Sequence, residues 1–113
     1  MIQIYHNPRC GKSRNCILFL KDSDQEFEII NYLETPPSFE ELKALLQKLN
    51  LSPIELVRQK EKIWIETFKG KLLTPDEVIR AMVENPILIE RPIVVNGNKA
   101  SIGRDLDKIK AII

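Results

Sequence analysis

Asn96-Gly97 stands between two short β-prone runs, Pro92-Ile-Val-Val95 and Asn98 to Ile102. An Asn-Gly pair accepts the positive φ that a two-residue turn demands, and such a turn joins only antiparallel strands. The other end of the chain imposes the opposite geometry. Ile2 and Ile4 mark an extended segment ended by Asn7-Pro8, Gly11 to about Asp22 carries Ile17, Leu18, Phe19 and Leu20 through a helix, and Phe27 to Ile30 reads as a second strand. A strand–helix–strand passage closes as a right-handed crossover, which lays its two strands parallel. A sheet holding both pairs is mixed.

The middle of the chain is helical. After the stiff turn Thr35-Pro36-Pro37, Ser38 with Glu41 forms a capping box for a helix whose Phe39, Leu42, Leu45, Leu46 and Leu49 share one face. The device recurs at Ser52-Pro53-Ile54-Glu55 and at Thr74-Pro75-Asp76-Glu77, each with an N-cap residue, a proline at the first helical position and a glutamate at the third. Lys60 to Gly70 is mixed in character and reads as partly helical. Beyond the hairpin, Leu106, Ile109, Ile112 and Ile113 recur at helical spacing and give a final amphipathic helix. The order is βαβ, a helical insert over approximately 35–86, then ββα. That is the order of an α/β thioredoxin/glutaredoxin-like fold with a mixed sheet, here a single domain over 1–113 with the insert packed on the same core.

A chain of 113 residues is one domain's worth, and 43% apolar with 29% charged residues is ordinary for a globular protein. A formal charge of +1 supplies no basic field for nucleic acid. No apolar run approaches the roughly 20 residues needed to cross a bilayer, and no leader precedes the first strand, so the expectation is a cytoplasmic protein with no membrane or nucleic-acid partner. Two cysteines, Cys10 and Cys16, are too few for a disulfide scaffold, and with a single histidine, His6, they make no metal cluster.

Cys10 lies in "YHNPRCGKSR", a polar turn-forming stretch at the start of the first helix. A thiol reacts as its thiolate, and a helix amino terminus with nearby cations lowers its pKa from about 8.5 to roughly 3.5–7.5. The candidates for that stabilisation are the amides near Gly11 and Lys12 and the side chains of Arg9, Lys12 and Arg14. His6 either tunes the thiolate, accepts a proton, or is a plain hydrogen-bonding residue at a strand end. Asn7 and Pro8 shape the turn, and Ser13 is placed to donate a hydrogen bond to the sulfur or to a bound oxyanion. Cys16, six residues on and rotated around the helix, reads as core packing. The resolving position three residues after Cys10 holds Ser13, so a second sulfur comes from outside.

"YHNPRCGKSR", "NYLETPPSFEEL" and "NPILIERPIVV" together resemble the glutaredoxin-like arsenate reductase family, a likeness that spans essentially the whole chain and includes Spx-type regulators among its relatives. The resemblance implies that Cys10 is the nucleophile toward arsenate or another small oxyanion. It implies no bound cofactor, glutathione as co-substrate and glutaredoxin as partner, with the chain acting as a monomer. It places the family's three substrate-handling arginines at Arg58, Arg91 and Arg104, whose planar donors suit an oxyanion. It also implies a cis bond before Pro92, facing the cysteine. Two alternatives stand beside this reading: an Spx-type transcription regulator binding RNA polymerase, and a glutathione-dependent thiol reductase with another substrate. Ser13 removes the Cys-x-x-Cys switch common among the regulators.

Overall fold

The computed structural model describes residues 2–103 and 106–113; Arg104, one of the expected anion-binding residues, lies outside them. Along the chain the elements are β1 (Ile2–His6), α1 (Gly11–Asp22), β2 (Phe27–Asn31), α2 (Phe39–Leu49), α3 (Pro53–Leu56), a π-helical turn at Trp64–Phe68, α4 (Pro75–Glu84), a 3-10 turn at Pro86–Leu88, β3 (Ile93–Asn96), β4 (Lys99–Ile102) and α5 (Leu106–Ile112). They fall into two compact units, the first built from the chain up to Thr35 and from Arg91 onward, the second from Pro36–Glu90. Among the described residues no helix is long and apolar enough to cross a membrane.

The sheet of the first unit has the order β2-β1-β3-β4. β1 and β2 are parallel, from Ile2 opposite Phe27 to His6 opposite Asn31, with α1 as the crossover. β3 runs antiparallel to β1, with Tyr5 opposite Ile93, and antiparallel to β4 across the turn in which Gly97 takes a φ of 63°. The mixed sheet and the βαβ…ββα order therefore form as the two turn chemistries require. Ile2 and Ile4 of β1 pack with Cys16 and Leu20 of α1, Val94 of β3 and Ile109 of α5 in one buried apolar cluster. Each such aliphatic side chain withdrawn from water contributes roughly 1.5–3 kcal/mol. Cys16 is part of this core, and burial pushes its thiol up to about 11.

In the second unit two of the three helix starts carry capping boxes. The Glu41 N–H donates to Ser38 Oγ at 3.1 Å while Glu41 Oε1 accepts from the Ser38 N–H at 3.2 Å, and Thr74 with Glu77 repeats the arrangement at 3.2 and 3.0 Å. The third start differs from expectation. Ser52 makes no side-chain cap bond, and α3 ends after four residues because Val57 turns extended and pairs with Ile89. Main-chain bonds from Arg58 N to Leu88 O and from Glu90 N to Leu56 O take the place of further helix. The ambiguous segment resolves into the π-helical turn, closed by Lys69 N on Trp64 O, with the Trp64 and Phe68 rings stacked at 5.4 Å.

Candidate active site

Leaving β1, the chain folds back on itself before α1 begins. Pro8 has no N–H to extend the ladder, and Asn7 binds the turn from three directions. Its Oδ1 accepts from Arg9 N at 3.0 Å, its carbonyl accepts from Cys10 N at 3.0 Å, and its own N–H donates to Ser13 Oγ at 3.4 Å. Arg14 Nη1 donates to the Pro8 carbonyl at 3.1 Å. Asn7 and Ser13 are both buried, so the turn is fixed by polar contacts out of competition with water.

Cys10 is the N-cap of α1. Its backbone is extended, with φ −97° and ψ 123°, and its carbonyl accepts the first helical bond from Arg14 N. The side chain thus occupies the place where a serine or aspartate would receive the free amides of the first turn. The sulfur makes no cap hydrogen bond of regular geometry, yet the amide dipoles act on it. Partial burial opposes its ionisation most strongly; the Ser13 amide, the Arg91 side chain, the Lys12 amide and the Arg91 charge together outweigh that and hold the thiol below its ordinary pKa.

The source of the positive charge differs from expectation. Arg9 and Lys12 are exposed, and Arg14 is turned onto the Pro8 carbonyl. The cation at the sulfur is Arg91, which precedes Pro92 across a cis peptide bond. Its Nε and Nη1 are buried without a hydrogen-bond partner. Pro92 in turn lies under Gly103: the Gly103 N–H donates to the Pro92 carbonyl at 2.7 Å, and a Cβ on Gly103 would fall 2.6 Å from Pro92 Cγ.

Ser13 meets the sulfur through its backbone amide, while its hydroxyl oxygen accepts from Asn7. His6 is buried, with Nδ1 unpartnered, and burial followed by the Arg14 charge lowers its pKa, so it is a neutral imidazole. It is not among the groups that shift the Cys10 thiol. Arg58 belongs to the second unit, where its guanidinium pairs with Glu61 at 2.9 Å and Glu90 at 3.5 Å. Among the described residues no three His, Cys, Asp or Glu side chains converge as a metal group would need.

One residue at the site went unnoticed in the sequence. Tyr32 is fully buried; its hydroxyl makes no hydrogen bond of regular geometry, and Arg91, Cys10 and Asn7 lie near enough to act on it. The available signal was its position directly after β2, at the end of the sheet where the parallel neighbour β1 delivers the cysteine turn.

A partly buried thiol that caps a helix, faces a cation preceding a cis proline and sits on this mixed four-stranded sheet defines a thioredoxin-fold thiol protein. The description "ArsC family" matches residues 5–112, and the chain belongs to that family. It is 45% identical over 99% of its length to the protein of Escherichia coli K12 called "Uncharacterized protein YfgD", covering 96% of that relative. It is 39% identical to the arsenate reductase of Neisseria meningitidis serogroup A, over 99% of this chain and 97% of that one. The solved arsenate reductase of Vibrio cholerae superposes with a TM-score of 0.94 at 42% identity, over 99% of this chain and 97% of that one.

Proposed function

We propose that the protein is an arsenate reductase whose nucleophile is Cys10 and whose turnover is completed by glutathione and glutaredoxin. The observation that carries the reading is the meeting of an activated sulfur with Arg91, whose buried Nε and Nη1 have no partner within the fold. An incoming oxyanion is what such donors lack. The relatives named as arsenate reductases favour an enzyme over the regulator reading and favour arsenate among oxyanions.

In the proposed reaction the Cys10 thiolate attacks arsenic, an S–As bond forms, and one arsenate oxygen leaves as water after protonation; arsenic remains pentavalent. The glutathione sulfur then attacks Cys10 Sγ. An S–S bond forms, the S–As bond breaks, and its electron pair stays on arsenic, which departs as trivalent arsenite. A glutaredoxin thiol exchanges with the mixed disulfide and frees Cys10. The external thiol is required because Ser13 occupies the resolving position and Cys16 is buried with a raised pKa. Arg91 neutralises charge on the anion, with Arg58 and Arg104 assigned to the same task by the family resemblance. Asn7, Pro8, Gly11 and Pro92 shape the site, and no tightly bound cofactor takes part. Dependence on reduced glutathione sets the proposed location in the cytoplasm.

The test is arsenate-dependent NADPH oxidation coupled through glutathione reductase and glutaredoxin, run beside Cys10→Ser. Activity in the parent and none in the variant is expected; no arsenate-dependent signal in the parent refutes the substrate.

A further inference from the structure

We propose that Tyr32 is a substrate-binding residue, its hydroxyl donating a hydrogen bond to an oxygen of the tetrahedral anion that Cys10 attacks. The identity of the anion as arsenate rests on the reading above; the donor role does not.

The strand register places the residue. Asn31 lies opposite His6 in the parallel pair, so the next residues in each chain, Tyr32 and Asn7, leave the sheet side by side. On the other flank of β1, Ile93 lies opposite Tyr5, which brings Arg91, two residues before it, alongside Asn7. Tyr32 and Arg91 therefore flank the turn that carries Cys10, and residues aligned across neighbouring strands share a face. Their polar ends meet there: the Tyr32 hydroxyl, Arg91 Nε and Arg91 Nη1 are all buried, and none makes a hydrogen bond of regular geometry, although Arg91 and Asn7 lie near enough to act on the phenol.

A buried phenol without a partner costs roughly 1–3 kcal/mol. Phenylalanine would fill the same apolar volume without that cost, so the hydroxyl needs a ligand to account for it. The ligand accepts hydrogen bonds, since two of the three unsatisfied atoms are guanidinium N–H donors. Burial, the largest influence, and the Cys10 charge both raise the tyrosine pKa against the opposing effects of Arg91 and Asn7, so the phenol keeps its proton and remains a donor. Arg91 supplies charge; Tyr32 supplies a neutral donor of fixed direction, as an oxyanion site requires.

Tyr32→Phe removes the hydroxyl alone. Its kcat/KM for arsenate is expected to fall roughly ten- to hundredfold. A second readout needs no turnover: arsenate, phosphate and sulfate are each titrated for protection of Cys10 against iodoacetamide. At least tenfold more anion for equal protection is expected in Tyr32→Phe, with the anion-free alkylation profile of the parent retained. A third uses the parent labelled at tyrosine 13Cζ: one of its two tyrosine signals, the one remaining in Tyr5→Phe, should move with added anion along the protection curve. Weakened protection in the variant beside a parent inactive on arsenate would overturn the substrate and keep the donor. Protection within twofold of the parent, no protection of the parent by any of the three anions, or an unmoved Tyr32 signal overturns the proposal.

Discussion

The Arg91 guanidinium acts on the Cys10 sulfur and lowers its pKa both by direct polar interaction and by charge. The two residues are far apart in sequence and are brought together because β3 runs antiparallel beside β1, so the entry to one strand adjoins the exit of the other. Main-chain amides at the start of α1 supply the rest of the stabilisation, and those cannot be removed by side-chain substitution. The contribution of Arg91 can be separated from them.

Arg91→Ala is expected to raise the pH midpoint for iodoacetamide alkylation of Cys10 and to slow alkylation at pH 7. A thiol whose pKa rises is less ionised at any pH below the midpoint, so the sign is fixed. The Ser13 and Lys12 amides remain in the variant to oppose burial, so the rise in midpoint reads the share that Arg91 supplies. Arg91→Lys retains a cation but not the planar fork, and it should recover more of the alkylation rate than of the arsenate-reducing activity. An alkylation profile in Arg91→Ala identical to that of the parent would show that the amides alone hold the charge.

Gly103→Ala tests how Arg91 is held. The added methyl would lie 2.6 Å from Pro92 Cγ and 3.0 Å from Cys16 Sγ, and both neighbours are buried in a packed core. Neither has a flexible end to move aside. Overpacking of this kind costs about 1–3 kcal/mol, measured as a lowered urea midpoint. Because Pro92 is the residue displaced, activity should fall further than the loss of folded protein accounts for, and the Cys10 alkylation midpoint should move upward as in Arg91→Ala.

The capped helices give a prediction in which sequence and structure part company. Thr74→Ala removes an acceptor bonded to the Glu77 amide and should cost about 1 kcal/mol in urea unfolding. Ser52→Ala, at a position with the same local signature, should cost only a few tenths, since Ser52 makes no cap bond. Equal losses in the two variants would contradict the difference between the helix starts.

That contrast reflects what local sequence carries. Capping boxes, the Asn96-Gly97 turn and the placement of Cys10 before α1 depend on residues a few positions apart, and they were legible. The length of α3 was not, because pairing of Val57 with Ile89, thirty-two positions away, ends it. The cations beside Cys10 in sequence were natural candidates for its stabilisation, yet exposed side chains on the first turn of a helix point into water while its amides point at the cap. Arg91 was reached only through the family resemblance. Tyr32 escaped notice because its role depends on the register of two parallel strands, which no single stretch of sequence displays.

His6 sets the pH dependence of stability at the base of the site. In the folded protein, burial first and the Arg14 charge second lower its pKa below the ordinary 6.5, and Nδ1 has no partner that protonation would strengthen. The unfolded chain therefore binds a proton near pH 6.5 that the folded chain refuses, and stability falls as the pH drops through that value. The fall continues until the folded imidazole also protonates. One such group contributes at most about 1.4 kcal/mol per pH unit. Urea midpoints are measured downward from pH 7.5 in a Cys10→Ser background, because the lowered thiol pKa would itself make stability fall across this range, and they should begin to decline near 6.5, before the carboxylates titrate. His6→Gln in the same background, which cannot ionise, should be flat across that first unit. A parallel decline in both proteins would assign the pH dependence to another group and leave His6 with packing alone.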